Sequence, residues 1–205
     1  MKKVNKVISL LIAVSGSQLS AQSYISPSGV NTFTLGERSS PMAATNMIDG
    51  SGLSVQNDIS ATHVTTWSGN EWYSILDSAS FPETIRFDLG SSYNDLAEFY
   101  LWNEESNGVR DFSLSFFDAG LNALGQTGSY TAILNTSTSA AGYTAQAFNF
   151  AAVDAVRYVD LNVASSHRSN GTLAIGEVGF GQVPEPSSAL LMGIAALGAF
   201  ARRRR

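Results

Sequence analysis

Glu83-Thr84-Ile85-Arg86-Phe87-Asp88-Leu89-Gly90 is the stretch that decides the fold class. Ile85, Phe87 and Leu89 alternate with Thr84, Arg86 and Asp88, and a period of two puts the apolar set on one face of a strand and the polar set on the other. The pattern recurs along the chain. Ala97, Phe99 and Leu101 alternate with Glu98, Tyr100 and Trp102; Phe112, Leu114 and Phe116 alternate with Asp111, Ser113 and Ser115. Val159, Leu161 and Val163 follow, then Leu173 and Ile175. Asp49-Gly50, Asn107-Gly108, Ala119-Gly120 and Asn170-Gly171 separate the runs as turns. No stretch sustains a 3.6-residue apolar period. Many short strands between such turns predict an all-β protein, an antiparallel β-sandwich with Ile85, Phe87, Leu89, Phe99, Leu101, Leu114, Phe116, Val159 and Leu161 inside. Ala123 to Gln146 is rich in Ala, Gly, Ser and Thr and reads as one or two weak strands or a long loop.

The two ends read differently from this middle. Lys2, Lys3 and Lys6 precede an apolar stretch from Val7 to Val14 and a small, polar exit from Ser15 to Ala21. That order predicts a signal peptide over residues 1–21, too short in its apolar part to be a permanent anchor. At the other end, Val183-Pro184-Glu185-Pro186 leads into an apolar run from Ala189 to Ala201 and then Arg202 to Arg205. The two prolines forbid a continuing strand and make a stiff, extended stub. The apolar run, extended by Pro186, Ser187 and Ser188, is read as a transmembrane segment whose end four arginines hold on the cytoplasmic side. The expected division is a signal peptide (1–21), one sandwich domain (22–183) and a tail (184–205).

Between Gln22 and Val183 there are five Arg, no Lys and sixteen Asp plus Glu, a net charge of −11. Such a surface makes nucleic acid and anionic lipid headgroups poor partners and a divalent cation a suitable one. The chain has no cysteine, which removes disulfides, thiol chemistry and Cys-ligated metals.

The order of short motifs resembles the discoidin-type, galactose-binding-like modules, which include family 32 carbohydrate-binding modules. It is carried by Asn46-Met47-Ile48-Asp49-Gly50, Thr65-Thr66-Trp67, Ile85-Arg86-Phe87-Asp88-Leu89-Gly90, Tyr100-Leu101-Trp102-Asn103, Val109-Arg110-Asp111-Phe112, Phe148-Asn149-Phe150, Ala155 to Leu161, and Ile175-Gly176-Glu177-Val178. The tail resembles a PEP-CTERM signal, which implies export in a Gram-negative, exopolysaccharide-producing bacterium and processing by an exosortase. The first resemblance implies a jelly-roll sandwich and a structural calcium ion held by Asp49, Thr65 and Glu177, with Asn46 and Asn57 or Asp58 as further oxygens. An all-oxygen set of this kind suits calcium. Glu177 shares strand parity with Leu173 and Ile175, so it is expected to face inward, where a carboxylate is costly unless paired or metal-bound. The alternative is that Asp49-Gly50 is only a turn and Glu177 pairs with an arginine such as Arg157. One departure stands out: fifteen residues separate Asp49 from Thr65, far more than the compact turn of the family.

Exposed aromatics beside polar groups are what a sugar needs, because its ring face stacks on Trp or Tyr while its hydroxyls bond Asn, Glu, His or Arg. Trp72, Trp102, Asn103, His167 and Arg168 are the candidate ligand-binding residues on that ground; Trp72 and Trp102 covering the sandwich ends is the competing reading. Catalytic readings fare worse. His63 and His167 are the only histidines, no metal-binding His spacing or G-x-S-x-G elbow occurs, and Glu104 and Glu105 are strand neighbours that point to opposite faces. The expectation is therefore a surface or matrix protein, not an enzyme, that binds carbohydrate, most simply exopolysaccharide. The alternative is a structural or adhesive matrix component without a small ligand.

Overall fold

In a computed structural model the described residues are 23–64, 69–135, 142–168 and 170–182. Thirteen strands are found among them. In chain order these are β1 (Ser23–Ile25), β2 (Gly29–Asn31), β3 (Thr62–His63), β4 (Trp72–Tyr73), β5 (Glu83–Tyr93), β6 (Leu96–Asn103) and β7 (Val109–Phe117), followed by β8 (Ala123–Gln126), β9 (Tyr130–Thr131), β10 (Tyr143–Thr144), β11 (Gln146–Val153), β12 (Val156–Ser166) and β13 (Ala174–Gln182). All strand pairs are antiparallel. One sheet runs β1-β13-β6-β11, with β4 also on β13; the other runs β2-β5-β12-β7-β8, with β9 also on β7. A small β3–β10 ladder stands apart. The signal segment (1–21), Thr65 and Trp67, and the tail (184–205) lie outside the described residues.

Register explains why the period-two runs form these sheets. On β12, Val159 lies opposite Phe87 on one side and Phe116 on the other, and Leu161 lies opposite Ile85 and Leu114. Each alternation therefore lines up as a row of apolar side chains across three strands, facing the other sheet. The facing sheet supplies Phe99 opposite Phe180 and Leu101 opposite Val178. Rings interlock across the gap: Phe87 meets Phe180 at 6.1 Å and Phe99 meets Phe112 at 5.7 Å. All nine residues expected inside belong to this core.

The polar sets of the same strands face outward and pair. Arg86 grips Asp160 with Nε at 2.6 Å and Nη2 at 2.7 Å, and its guanidinium lies over Phe117 at 4.9 Å. Arg157 bonds Asp88 through Nη2 at 3.0 Å. It is thus not the partner of Glu177.

Two features of the smaller sheet depart from simple alternation. The register to β6 shifts between Ile175 and Glu177, so Ile175 belongs to the core before the shift, and Val178 and Phe180 after it. Glu177 therefore falls on the opposite face from Ile175, beside Trp102, its cross-strand neighbour. The long connection after Asp49 then covers that face. Leu53 and Ile59 pack on a second cluster made of Tyr100, Trp102 and Tyr143, and Trp102 Nε1 donates to Ala61 O at 2.9 Å. Inward parity for Glu177 is corrected: the residue is buried, but under this flap rather than between the sheets.

Candidate functional site

One end of the sandwich gathers Glu104 to Gly108 between β6 and β7, His167 and Arg168 after β12, and Ala132 to Asn135 after β9. Backbone bonds lock them. His167 N donates to Gly108 O at 2.9 Å and Ala174 N to Asn107 O at 3.0 Å. Asn103, buried at the end of β6, donates through Nδ2 to Val109 O at 2.8 Å and Ile133 O at 3.2 Å. His167 Nε2 lies 3.0 Å from Ala132 O. A carbonyl only accepts, so Nε2 carries the proton of this bond, and in the tautomer protonated there alone Nδ1 is an acceptor. Arg168 is exposed, and its Nη1 donates to Asn107 Oδ1 at 3.2 Å.

An open groove of about 340 Å³ adjoins this rim, lined by Ile133, Leu134, Asn135, Tyr143, Thr144 and Gln146 among others. Gln146 fixes its wall by bonding Ile133 N and O, each at 2.7 Å, which leaves the Ile133 side chain 73% exposed.

Asn103, His167 and Arg168 thus come together: Asn103 and His167 both bond the Ala132–Ile133 segment, and Arg168 bonds Asn107 beside Gly108, which accepts from His167 N. Trp72 and Trp102 do not join the rim, and both are 0% exposed. Trp72 lies on β4, pairs opposite Ile175 and belongs to the inter-sheet core; Trp102 lies under the flap. Neither indole presents a face to a ligand, which corrects the stacking role expected of them.

A carboxylate cluster escaped the sequence reading. Glu71 and Glu104 are 3% and 1% exposed and come from distant segments. Tyr73 OH donates to Glu104 Oε1 at 2.5 Å, Ser106 N to Oε2 at 2.8 Å, and Asn107 N also to Oε2. Glu71 takes Tyr143 OH at 3.5 Å and a hydrogen bond with Tyr73. Burial, with Glu104 and Glu105 nearby, pushes the Glu71 carboxyl up to about 8. Glu104 has Glu71 as a carboxyl neighbour from a distant segment, besides the adjacent Glu105. Nothing local signals this, because the two glutamates meet only once β4 and β6 have both joined β13.

At the flap, Glu177 Oε2 accepts from Gly50 N at 3.0 Å while Oε1 is buried without a hydrogen-bond partner. Burial pushes this carboxyl up to about 9, Gly50 pulls it down, and neighbouring Asp49 pushes it up again. Asp49 itself is exposed and accepts from Ser51 N at 2.8 Å. Asn46 is committed elsewhere, donating to Pro41 O, Gly69 O and Glu71 O. Asn57 is exposed, and Asp58 caps Ser60. Among the described residues no group of three or more His, Cys, Asp or Glu is placed to hold a metal. None of their helices is long and apolar enough to cross a membrane.

Residues 182–205 match the PEP-CTERM protein-sorting motif. No curated protein matches the chain. Solved structures do. The module CBM32-3 from a family 31 glycoside hydrolase of Clostridium perfringens shares 14% identity over 78% of this chain and 95% of that one, with TM-score 0.53. The family 32 module of C. perfringens NanJ in complex with galactose shares 13% over 78% and 99%, with TM-score 0.51. The lectin domain of lectinolysin complexed with Lewis B antigen shares 15% over 76% and 93%, with TM-score 0.50. At such identities the likeness is one of fold. The chain carries a C-terminal PEP-CTERM sorting motif, which marks it for export to the cell surface, behind a β-sandwich of the galactose-binding-like, discoidin-like fold.

Proposed function

We propose that the domain is a non-catalytic carbohydrate-binding module that holds extracellular polysaccharide at the surface of a Gram-negative cell after exosortase processing of the tail. The observation that carries this reading is the convergence of Arg168, His167 and Asn107 on one rim beside the Ile133 groove. Arg168 offers exposed donors, His167 Nδ1 an acceptor, and Ile133 an apolar surface for a ring face. The fold likeness to modules solved with galactose and with Lewis B antigen supports the same class of ligand. A glycan array probed with the exported protein tests it: binding that is lost in Arg168→Ala supports the rim, and absence of binding to every glycan contradicts the reading.

Burial of both tryptophans favours a second reading, a structural or adhesive matrix component without a small ligand. A silent array together with retention of the protein in the extracellular matrix would select it.

Calcium belongs to the same proposal as a structural ion. The residues fit in one respect: Glu177 presents a buried, unpartnered oxygen next to a second carboxylate, Asp49, and no cation among the described residues compensates it. Asp49, Glu177 and Thr65 would hold the ion with backbone carbonyls of the flap, and the ion would supply the positive charge that a buried carboxylate needs.

A further inference from the structure

One lateral edge of the sandwich is built from a run of chain without charge. Between Asp118 and Asp154 the sequence has no Asp, Glu, Lys, Arg or His. That run supplies β8, which ends one sheet, and β11, which ends the other. The two lie on the same side of the molecule: Phe116 meets Phe150 at 4.8 Å and Tyr130 meets Phe148 at 5.5 Å.

Edge strands are ordinarily guarded by charge, by proline or by a covering segment, because their unpaired backbone invites another chain. On β11, Gln-Ala-Phe-Asn-Phe-Ala-Ala-Val, neither charge nor proline is present, and the exposed Ala147, Asn149, Ala151 and Ala152 are small or neutral. Tyr130 OH caps a single carbonyl of this strand, that of Asn149, at 2.8 Å. All four residues of β8 are exposed, Leu124 by 38%, and Leu121 just before it is 52% exposed. Between β8 and β11 opens an uncharged cleft of about 340 Å³, walled by Phe116, Tyr130, Phe150 and Val153.

The rest of the domain is the opposite in character, since all of its net charge of −11 lies outside this edge. Two copies that approach through an acidic face bring like charges together, whereas this neutral edge meets itself without that cost. We propose that this edge is a self-association surface, occupied by the same edge of a second copy of the chain about a two-fold axis, with Leu124 of each copy in the Phe116–Phe150 cleft of the other. A two-fold contact requires a patch complementary to itself, and an uncharged strand edge beside its own apolar knob and cleft satisfies that requirement. A strongly charged partner would instead be drawn to, or repelled by, the acidic faces. The inference is independent of sugar binding, because the rim of Arg168 and His167 takes no part in it.

Sedimentation equilibrium of the exported protein at about 0.02 M and about 0.5 M NaCl tests the surface. The expected result is a concentration-dependent dimer that tightens with salt, because salt screens repulsion between the acidic bodies and leaves apolar burial intact. Leu124→Lys and Ala151→Lys replace exposed side chains, so each should weaken the dimer at least about tenfold with no change in melting temperature. A protein that stays monomeric to about 1 mM overturns the proposal, as does a dimer that loosens with salt or that both lysine variants leave intact.

Discussion

Tyr73 donates its hydroxyl proton to Glu104 Oε1 at 2.5 Å, in a buried cluster whose second carboxyl is Glu71. Hydrogen bonds with Tyr143 and Tyr73 favour the ionised form of Glu71, but burial and the nearby Glu104 and Glu105 outweigh them. The net effect raises the Glu71 pKa from 4.5 to about 8, so the fold favours its neutral form below that pH. In the unfolded chain the same group ionises near 4.5. Below that pH both states hold the proton and the contribution to stability is complete; as pH rises toward about 8 only the folded state still holds it, and the contribution is lost. Melting temperature should therefore decline from pH 5 to pH 8 in the wild type. Glu71→Gln, which stays neutral, should make that decline shallower and melt higher than wild type at pH 8, while Glu177, raised to about 9, keeps its own share of the decline. A variant with the wild-type slope would mean that Glu71 is ionised in the fold.

Phe87 tests the register. It is fully buried and packs on Phe180 from the opposite sheet. Phe87→Ala should cost about 3–5 kcal/mol in chemical denaturation, the range for emptying a large aromatic site in a core. A cost within about 0.5 kcal/mol, typical of surface positions, would contradict the packing described.

What was legible in the sequence follows from what is local. Period-two runs survive in any half-buried strand, so β5, β6, β7 and β12 and their inward residues could be read directly. Trp72 could not, because β4 has only two residues and owes its burial to pairing with β13, far away in the chain. Trp102 was read correctly as lying on the outer side of β6. Its burial depends on the fifteen-residue stretch after Asp49, whose path over that face no local pattern encodes. The register shift near Gly176 reversed the side on which Glu177 lies. Gly176 marks the place: a Cβ there would fall 2.4 Å from Tyr143 OH, so glycine lets the strand and the flap approach. Asn103, His167 and Arg168 were recognisable as loop-end polar residues; their meeting through the Ala132–Ile133 and Asn107–Gly108 segments was not.

For calcium, the discriminating variant is Glu177→Gln. Protein stripped of metal should melt lower than protein in millimolar calcium, since an ion bound only by the folded state adds about 2.7 kcal/mol at one hundred times its Kd. Glu177→Gln should lose most of that gain. Magnesium should do poorly, because it wants a smaller octahedral cage and keeps its waters. If a proton rather than a metal neutralises Glu177, stripped wild type and Glu177→Gln should melt alike and calcium should change neither. Equal stabilisation by sodium at matched ionic strength would reduce the effect to screening of the acidic surface.

Processing is read by mass. The PEP-CTERM motif at 182–205 predicts that protein recovered from the native cell surface begins near Gln22 and ends near Pro184-Glu185-Pro186. Intact-mass measurement should find no species that retains Arg202 to Arg205. A retained arginine cluster would replace exosortase processing with simple membrane anchoring.

The central claim is that the rim of Asn107, His167 and Arg168 binds sugar, and titration calorimetry measures it most directly. With a glycan identified on the array, wild-type protein should release or absorb heat that saturates at one site per chain. Arg168→Ala and His167→Ala, both at surface loop positions, should each weaken binding about tenfold or more while the melting temperature stays unchanged. Saturable binding with the same Kd in wild type and in both variants would contradict the account and move the ligand site elsewhere on the sandwich.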